Sequence, residues 1–130
     1  MTDDTEIRAV IDRWIASIQA CDLDGVTAAH TEDIVLFDVP IPYDGLRGIE
    51  QYRASWPDLF AYLRSGAVLE LVELDVTAGD TVAFARGLMR LGTPEDIAAD
   101  PDKRLRTTIG LRKVGGEWLI AHEHHSLPQT

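Results

Sequence analysis

Apolar residues recur along the first part of the chain at intervals of three and four. Ile7, Val10, Ile11, Trp14, Ile15 and Ile18 share one stripe, which predicts an amphipathic helix with one buried face. Asp3 and Glu6 stand at capping-box spacing at its start. Asp22 is placed to cap a second, short helix through Ala28 and Ala29. A short strand, Ile34-Val35-Leu36-Phe37, runs into a proline-rich turn, Pro40-Ile41-Pro42-Tyr43-Asp44-Gly45. A third helix is predicted after Gly48; Pro57 interrupts it, and Ser55 caps a short continuation through Phe60 and Tyr62.

From there the period changes to two. Ala67 to Val76, Thr81 to Leu91 and Leu105 to Val114 are predicted strands, rich in β-branched residues. Gly79-Asp80 turns the first into the second, and Gly92 through Asp102, with Pro94 and Pro101, reads as a polar loop. A Gly-Gly turn at 115 and 116 opens the last extended run. Simple alternation there places Trp118, Ile120, His122, His124 and Ser126 on one face, and Leu119, Ala121, Glu123 and His125 on the other. Ala83, Ala85, Gly87 and Met89 share the inner face of the second long strand, and Leu105, Thr107, Ile109 and Leu111 that of the third. Small residues on a concave face leave room for a pocket. The pattern implies an α+β fold in which three N-terminal helices pack on a curved, mainly antiparallel sheet, as one domain over residues 1–130.

Charge and composition narrow the partners. The chain carries 22 acidic against 12 basic side chains, a formal net charge of −10. That excess argues against nucleic acid or an anionic membrane as partner. The single cysteine, Cys21, excludes an internal disulfide and fits a reducing, cytoplasmic setting. The acidic start lacks the apolar run of a signal peptide, and no run approaches membrane-spanning length.

Of the four histidines, three lie in the last strand. On strict alternation His122 and His124 point into the pocket, and Thr107 is the other polar group of that face. With Asp38 as a third ligand, the two imidazoles would suit zinc or ferrous iron. A His-x-His pair without a third ligand at fixed spacing equally fits a strand whose histidines touch solvent or a partner, so the expectation is of no metal and no cofactor. Asp38 precedes a Val-Pro turn, where an aspartate often accepts backbone N–H groups. Trp14, Ile18, Phe37, Tyr43, Trp56, Phe60, Met89 and Ile109 are the expected apolar wall around a small-molecule ligand.

Several pieces together resemble a known family. Trp14 followed by Asp22-Leu23-Asp24-Gly25, then Glu32 through Asp38, Arg47-Gly48, and the closing Gly-Glu-Trp-Leu-Ile-Ala-His-Glu-His-His-Ser are similar in order and spacing to the cone-shaped nuclear transport factor 2 (NTF2-like) and ketosteroid isomerase fold. Within it, the chain looks most like the SnoaL-like proteins. The resemblance implies a homodimer joined through the sheet, and a pocket in which Asp38 matches the place of the isomerases' catalytic base. The two groups with which those enzymes stabilise an enolate are replaced here by Trp14 and Ile109. The resulting expectation is acid–base chemistry on a hydrophobic organic molecule, of isomerase, cyclase or dehydratase type, with Asp38 as base and His122 as acid. The alternative is a non-catalytic ligand-binding or dimerisation module.

Overall fold

The computed structural model describes residues 2–129. Helix α1 (Asp3–Gln19) is capped by Thr2, whose hydroxyl accepts the Thr5 N–H, one residue ahead of the predicted cap. Its stripe of Ile7, Val10, Ile11, Trp14, Ile15 and Ile18 is buried as expected. Removing each of those isoleucines from water stabilises the fold by roughly 2 kcal/mol. Asp22 caps α2 (Leu23–Thr27) through the Gly25 N–H.

The predicted third helix is two. Helix α3 (Ile49–Ala54) stops at Ser55, and α4 (Trp56–Arg64) restarts with Pro57 in its first turn, where a missing N–H costs nothing. A further helix, α5 (Pro94–Ala99), replaces part of the expected loop. Thr93 caps it by accepting the Asp96 N–H, and Pro94 opens it, so a start signal was present in the sequence.

Strands β1 (His30–Phe37), β2 (Leu46–Arg47), β3 (Val68–Ala78), β4 (Val82–Gly92), β5 (Leu105–Val114) and β6 (Glu117–Ser126) form one sheet in the order β2-β1-β6-β5-β4-β3. β1 and β6 pair in parallel; every other neighbouring pair is antiparallel. The register shifts between Leu71 and Glu73 in β3, and opposite Gly110 and Leu111 in β6. Such bulges bend strands, and here they curl the sheet around the helices. Asp3 accepts from both Lys113 and Trp118, pinning the start of α1 to the ends of β5 and β6. No helix among the described residues is long and apolar enough to cross a membrane.

The second bulge decides the site. Gly110 pairs with His122, but Leu111 pairs with Ile120, so Ala121 has no partner on β5. Before Ala121, Trp118 and Ile120 face the helices as predicted; after it, alternation is reversed. Glu123 and His125 therefore face inward, opposite the inner residues Ile109 and Thr107. His122 and His124 face outward, opposite Gly110 and Thr108. The expected inward pair of histidines is corrected by one extra residue.

Candidate functional site

A cavity of about 1000 Å³ opens between the helices and the concave side of the sheet. α1 contributes Trp14 and Ile18 to its wall, β1 Leu36, α4 Trp56, β3 Leu69 and β4 Met89. The indoles of Trp14 and Trp56 meet nearly at right angles, 87°, with centroids 6.3 Å apart, and so form two adjoining walls. Residues 38–42, α5 and Leu127 border the mouth. The turn that leads back from the mouth to β2 needs glycine at position 45. Its φ is +78°, and a Cβ there would lie 2.5 Å from the Leu36 carbonyl oxygen.

At the inner end of the cavity His125 joins the wall. Its ring lies nearly parallel to the Trp14 indole, at 13° and 6.3 Å between centroids. His125 Nε2 donates to Glu123 Oε1 at 3.2 Å, and Nδ1 meets the Thr107 hydroxyl at 2.9 Å. Glu123 is fully buried. Its other oxygen accepts the Tyr52 hydroxyl at 2.6 Å and stands 2.8 Å from His30 Nε2. Tyr52 is oriented in turn by Trp14, whose Nε1 donates to the phenol oxygen at 3.1 Å. His30 Nδ1 donates to the Ala28 carbonyl at 2.8 Å. Five elements thus converge on one carboxylate that water does not reach.

Burial alone would raise the proton affinity of Glu123. The hydrogen bonds from His125 and His30, and the charge those imidazoles bring, outweigh it and hold the carboxyl down at about 2. Tyr52 is pushed the other way, well above the usual phenol range, by burial first and by the Glu123 charge second. It stays protonated and donates.

The sequence-predicted residues divide accordingly. Trp14, Ile18, Trp56 and Met89 border the cavity. Thr107 is buried behind it, holding His125. Phe60 and Ile109 lie in the packed core rather than on the cavity wall, with the Phe60 ring tilted at 35° against Trp56. Tyr43 is 97% exposed on the turn beyond the mouth. Phe37 shares the outer face with His122 and His124, its ring edge-on to both. His122 Nδ1 donates to the Val35 carbonyl.

Asp38 does border the mouth, and its Oδ1 accepts the Val39 N–H at 2.7 Å, so it also shapes the turn. Asp38 and His122 therefore sit on opposite faces of the sheet and cannot act as one acid–base pair. The same separation removes the set Asp38, His122 and His124 as ligands of one metal. Among the described residues no group of three His, Cys, Asp or Glu side chains is arranged to hold a metal ion. Glu123, His125, His30 and Tyr52 are site residues that periodicity in the sequence does not reveal. An acidic residue within the closing strand was the available sign, but the polar run after Ile120 holds no apolar residue to fix its phase.

Comparisons with known proteins agree with this architecture. The family model described as "SnoaL-like domain" matches residues 7–130. A crystal structure of an NTF2-like protein of unknown function from Pseudomonas putida KT2440 is 34% identical, with a TM-score of 0.83 over 100% of this chain and 91% of its own. At lower identity the fold is shared with a candidate ketosteroid isomerase from Shewanella frigidimarina NCIMB 400, 19% identical with a TM-score of 0.74 over 91% of this chain and 92% of that one. It is shared too with a candidate scytalone dehydratase from Novosphingobium aromaticivorans DSM 12444, 16% identical with a TM-score of 0.73 over 98% and 85%. No curated protein matches the chain.

Proposed function

This chain belongs to the SnoaL-like domain family, and we propose that its cone binds a small, largely apolar organic molecule and moves a proton on it without a cofactor. One observation carries the reading: His125 borders the apolar cavity while its far side is tethered to a buried, ionised Glu123. A backed imidazole in the wall of a largely apolar pocket is equipped for general acid–base work. In the neutral ring Nε2 holds the proton donated to Glu123, and Nδ1 shares the Thr107 hydroxyl hydrogen. When the contact with Thr107 opens and Nδ1 swings towards the cavity, it takes a proton from the ligand and returns it to another atom of the same molecule or to a leaving hydroxyl. Such a step is an isomerisation or a dehydration, with no change of oxidation state. Asp38 keeps one carboxylate oxygen for a ligand group near the mouth, since the other is held by Val39.

A second reading, binding without turnover, is favoured by the fact that both ring nitrogens of His125 already have partners. Turnover of apolar ring compounds by wild type and His125→Gln, followed by mass spectrometry, separates the two. An enzyme of this kind loses on the order of a hundredfold or more in rate with binding retained. A binder has no rate to lose.

We also propose that two copies associate through the outer face of the sheet. Val82 and Phe84 are exposed there between Arg86, Arg106 and Arg112, an apolar strip suited to a partner surface.

A further inference from the structure

Resting on the reading of His125 as the proton-transfer group, we propose that His30 is a positioning residue: a doubly protonated imidazolium, held between two acceptor oxygens, that keeps Glu123 ionised and leaves proton exchange to His125. His30 stands between two oxygens, the Ala28 carbonyl at Nδ1 and Glu123 Oε2 at Nε2, both at 2.8 Å. A carbonyl only accepts, and an ionised carboxylate only accepts. Both contacts are hydrogen bonds together with ionised Glu123 only if each ring nitrogen carries a proton.

The competing arrangement puts the proton on Glu123, which then donates to a neutral His30. Three features oppose it. Tyr52 uses its oxygen to accept from Trp14, so its own proton goes to Glu123 Oε2. At Oε1, His125 Nε2 stands 3.2 Å away and donates there when Glu123 is ionised, so two donors besides His30 converge on one carboxyl group, the setting of the ionised form. The lengths agree. The 2.6 Å from Tyr52 and the 2.8 Å from His30 both fall within the range of charge-assisted hydrogen bonds.

The groups that face Glu123 come from every element packed around it: Tyr52 of α3, His30 of β1 and His125 of β6, with Trp14 of α1 and Thr107 of β5 behind them. Of these, only His125 has a partner that serves either charge state. The Thr107 hydroxyl donates to a bare Nδ1 or accepts from a protonated one. His30 thus carries a charge that Glu123 neutralises, and the exchangeable proton is confined to His125 Nδ1.

Two-bond ¹⁵N–¹H correlation spectra of the ligand-free protein, labelled with ¹⁵N at histidine, read each ring nitrogen as protonated or bare. Expected at neutral pH are two protonated nitrogens on His30, and a protonated Nε2 with a bare Nδ1 on His125. A bare nitrogen on His30 overturns the assignment. In His30→Gln the carboxyl loses its cationic partner, and His125 is expected to lose its single tautomer; an unchanged His125 signature overturns the positioning role. Should that variant not fold, the wild-type spectrum alone decides. The spectra need neither ligand nor turnover, so a failure of the proposed acid–base function would leave them unchanged.

Discussion

His30 Nε2 stands 2.8 Å from Glu123 Oε2, with neither side chain exposed, across 93 positions of chain. The contact fastens the first strand to the last at the depth of the cavity. Removing one member of a buried ion pair leaves the other uncompensated, at a cost of about 3 kcal/mol or more. Glu123→Gln keeps the shape and removes the charge. Its unfolding free energy in urea is expected to fall by about that amount, and a variant as stable as wild type would show that the pair contributes nothing.

Acid should act through the same group. The folded carboxyl sits at about 2 against an ordinary 4.5. A lowered carboxylate stabilises the folded state fully above the ordinary value, and that contribution is lost as pH falls through the interval down to the folded value. Wild type is therefore expected to lose thermal stability more steeply than Glu123→Gln below about pH 4.5. Asp3 is also held low, by Trp118 and then Lys113, and Asp33 by Thr31 and then Arg112, but both remain in the variant. Parallel melting curves would remove Glu123 as the source.

Deleting Ala121 restores simple pairing between β5 and β6 and turns the residues after it to the other face. Glu123 would then move outward while His122 and His124 enter the core. The deletion is expected to destabilise the protein by several kcal/mol, comparable to breaking the buried pair, and to abolish ligand uptake. Retention of both, measured by thermal melting and dye binding, would mean that the bulge does not place the site.

The bulge also marks where the sequence stops being legible. The stripe of α1, the inner faces of β4 and β5 and the cavity residues Trp14, Ile18, Trp56 and Met89 all follow from periodicity, because apolar residues report their own burial. Trp118 and Ile120 do the same for the start of β6. After Ile120 the run His-Glu-His-His-Ser has no such marker, so nothing in it reveals that Ala121 resets the phase. A buried carboxylate is recognisable only from its partners, and His30, Tyr52 and His125 come from three distant parts of the chain. Asp38 was legible in both of its aspects, as a mouth residue and as a turn residue, since each is local.

Assembly offers a separate test. Val82 is 60% exposed and Phe84 46%, both on the outer face. Light scattering at micromolar concentration is expected to give twice the chain mass for wild type, and Phe84→Asp is expected to shift the protein towards the monomer. A wild-type monomer would contradict association through the sheet.

The proposed function requires that the cone hold an apolar molecule beside His125. A fluorescence titration with Nile red, a neutral apolar dye, tests it most directly in three proteins: wild type, Leu105→Trp, which fills the cavity wall, and Phe84→Ser on the outer face. Saturable uptake of one dye per chain is expected in wild type and in Phe84→Ser, with affinity at least about tenfold weaker in a folded Leu105→Trp, as filling a pocket of this size requires. Absence of saturable uptake, or equal uptake in all three, would contradict a ligand site inside the cone.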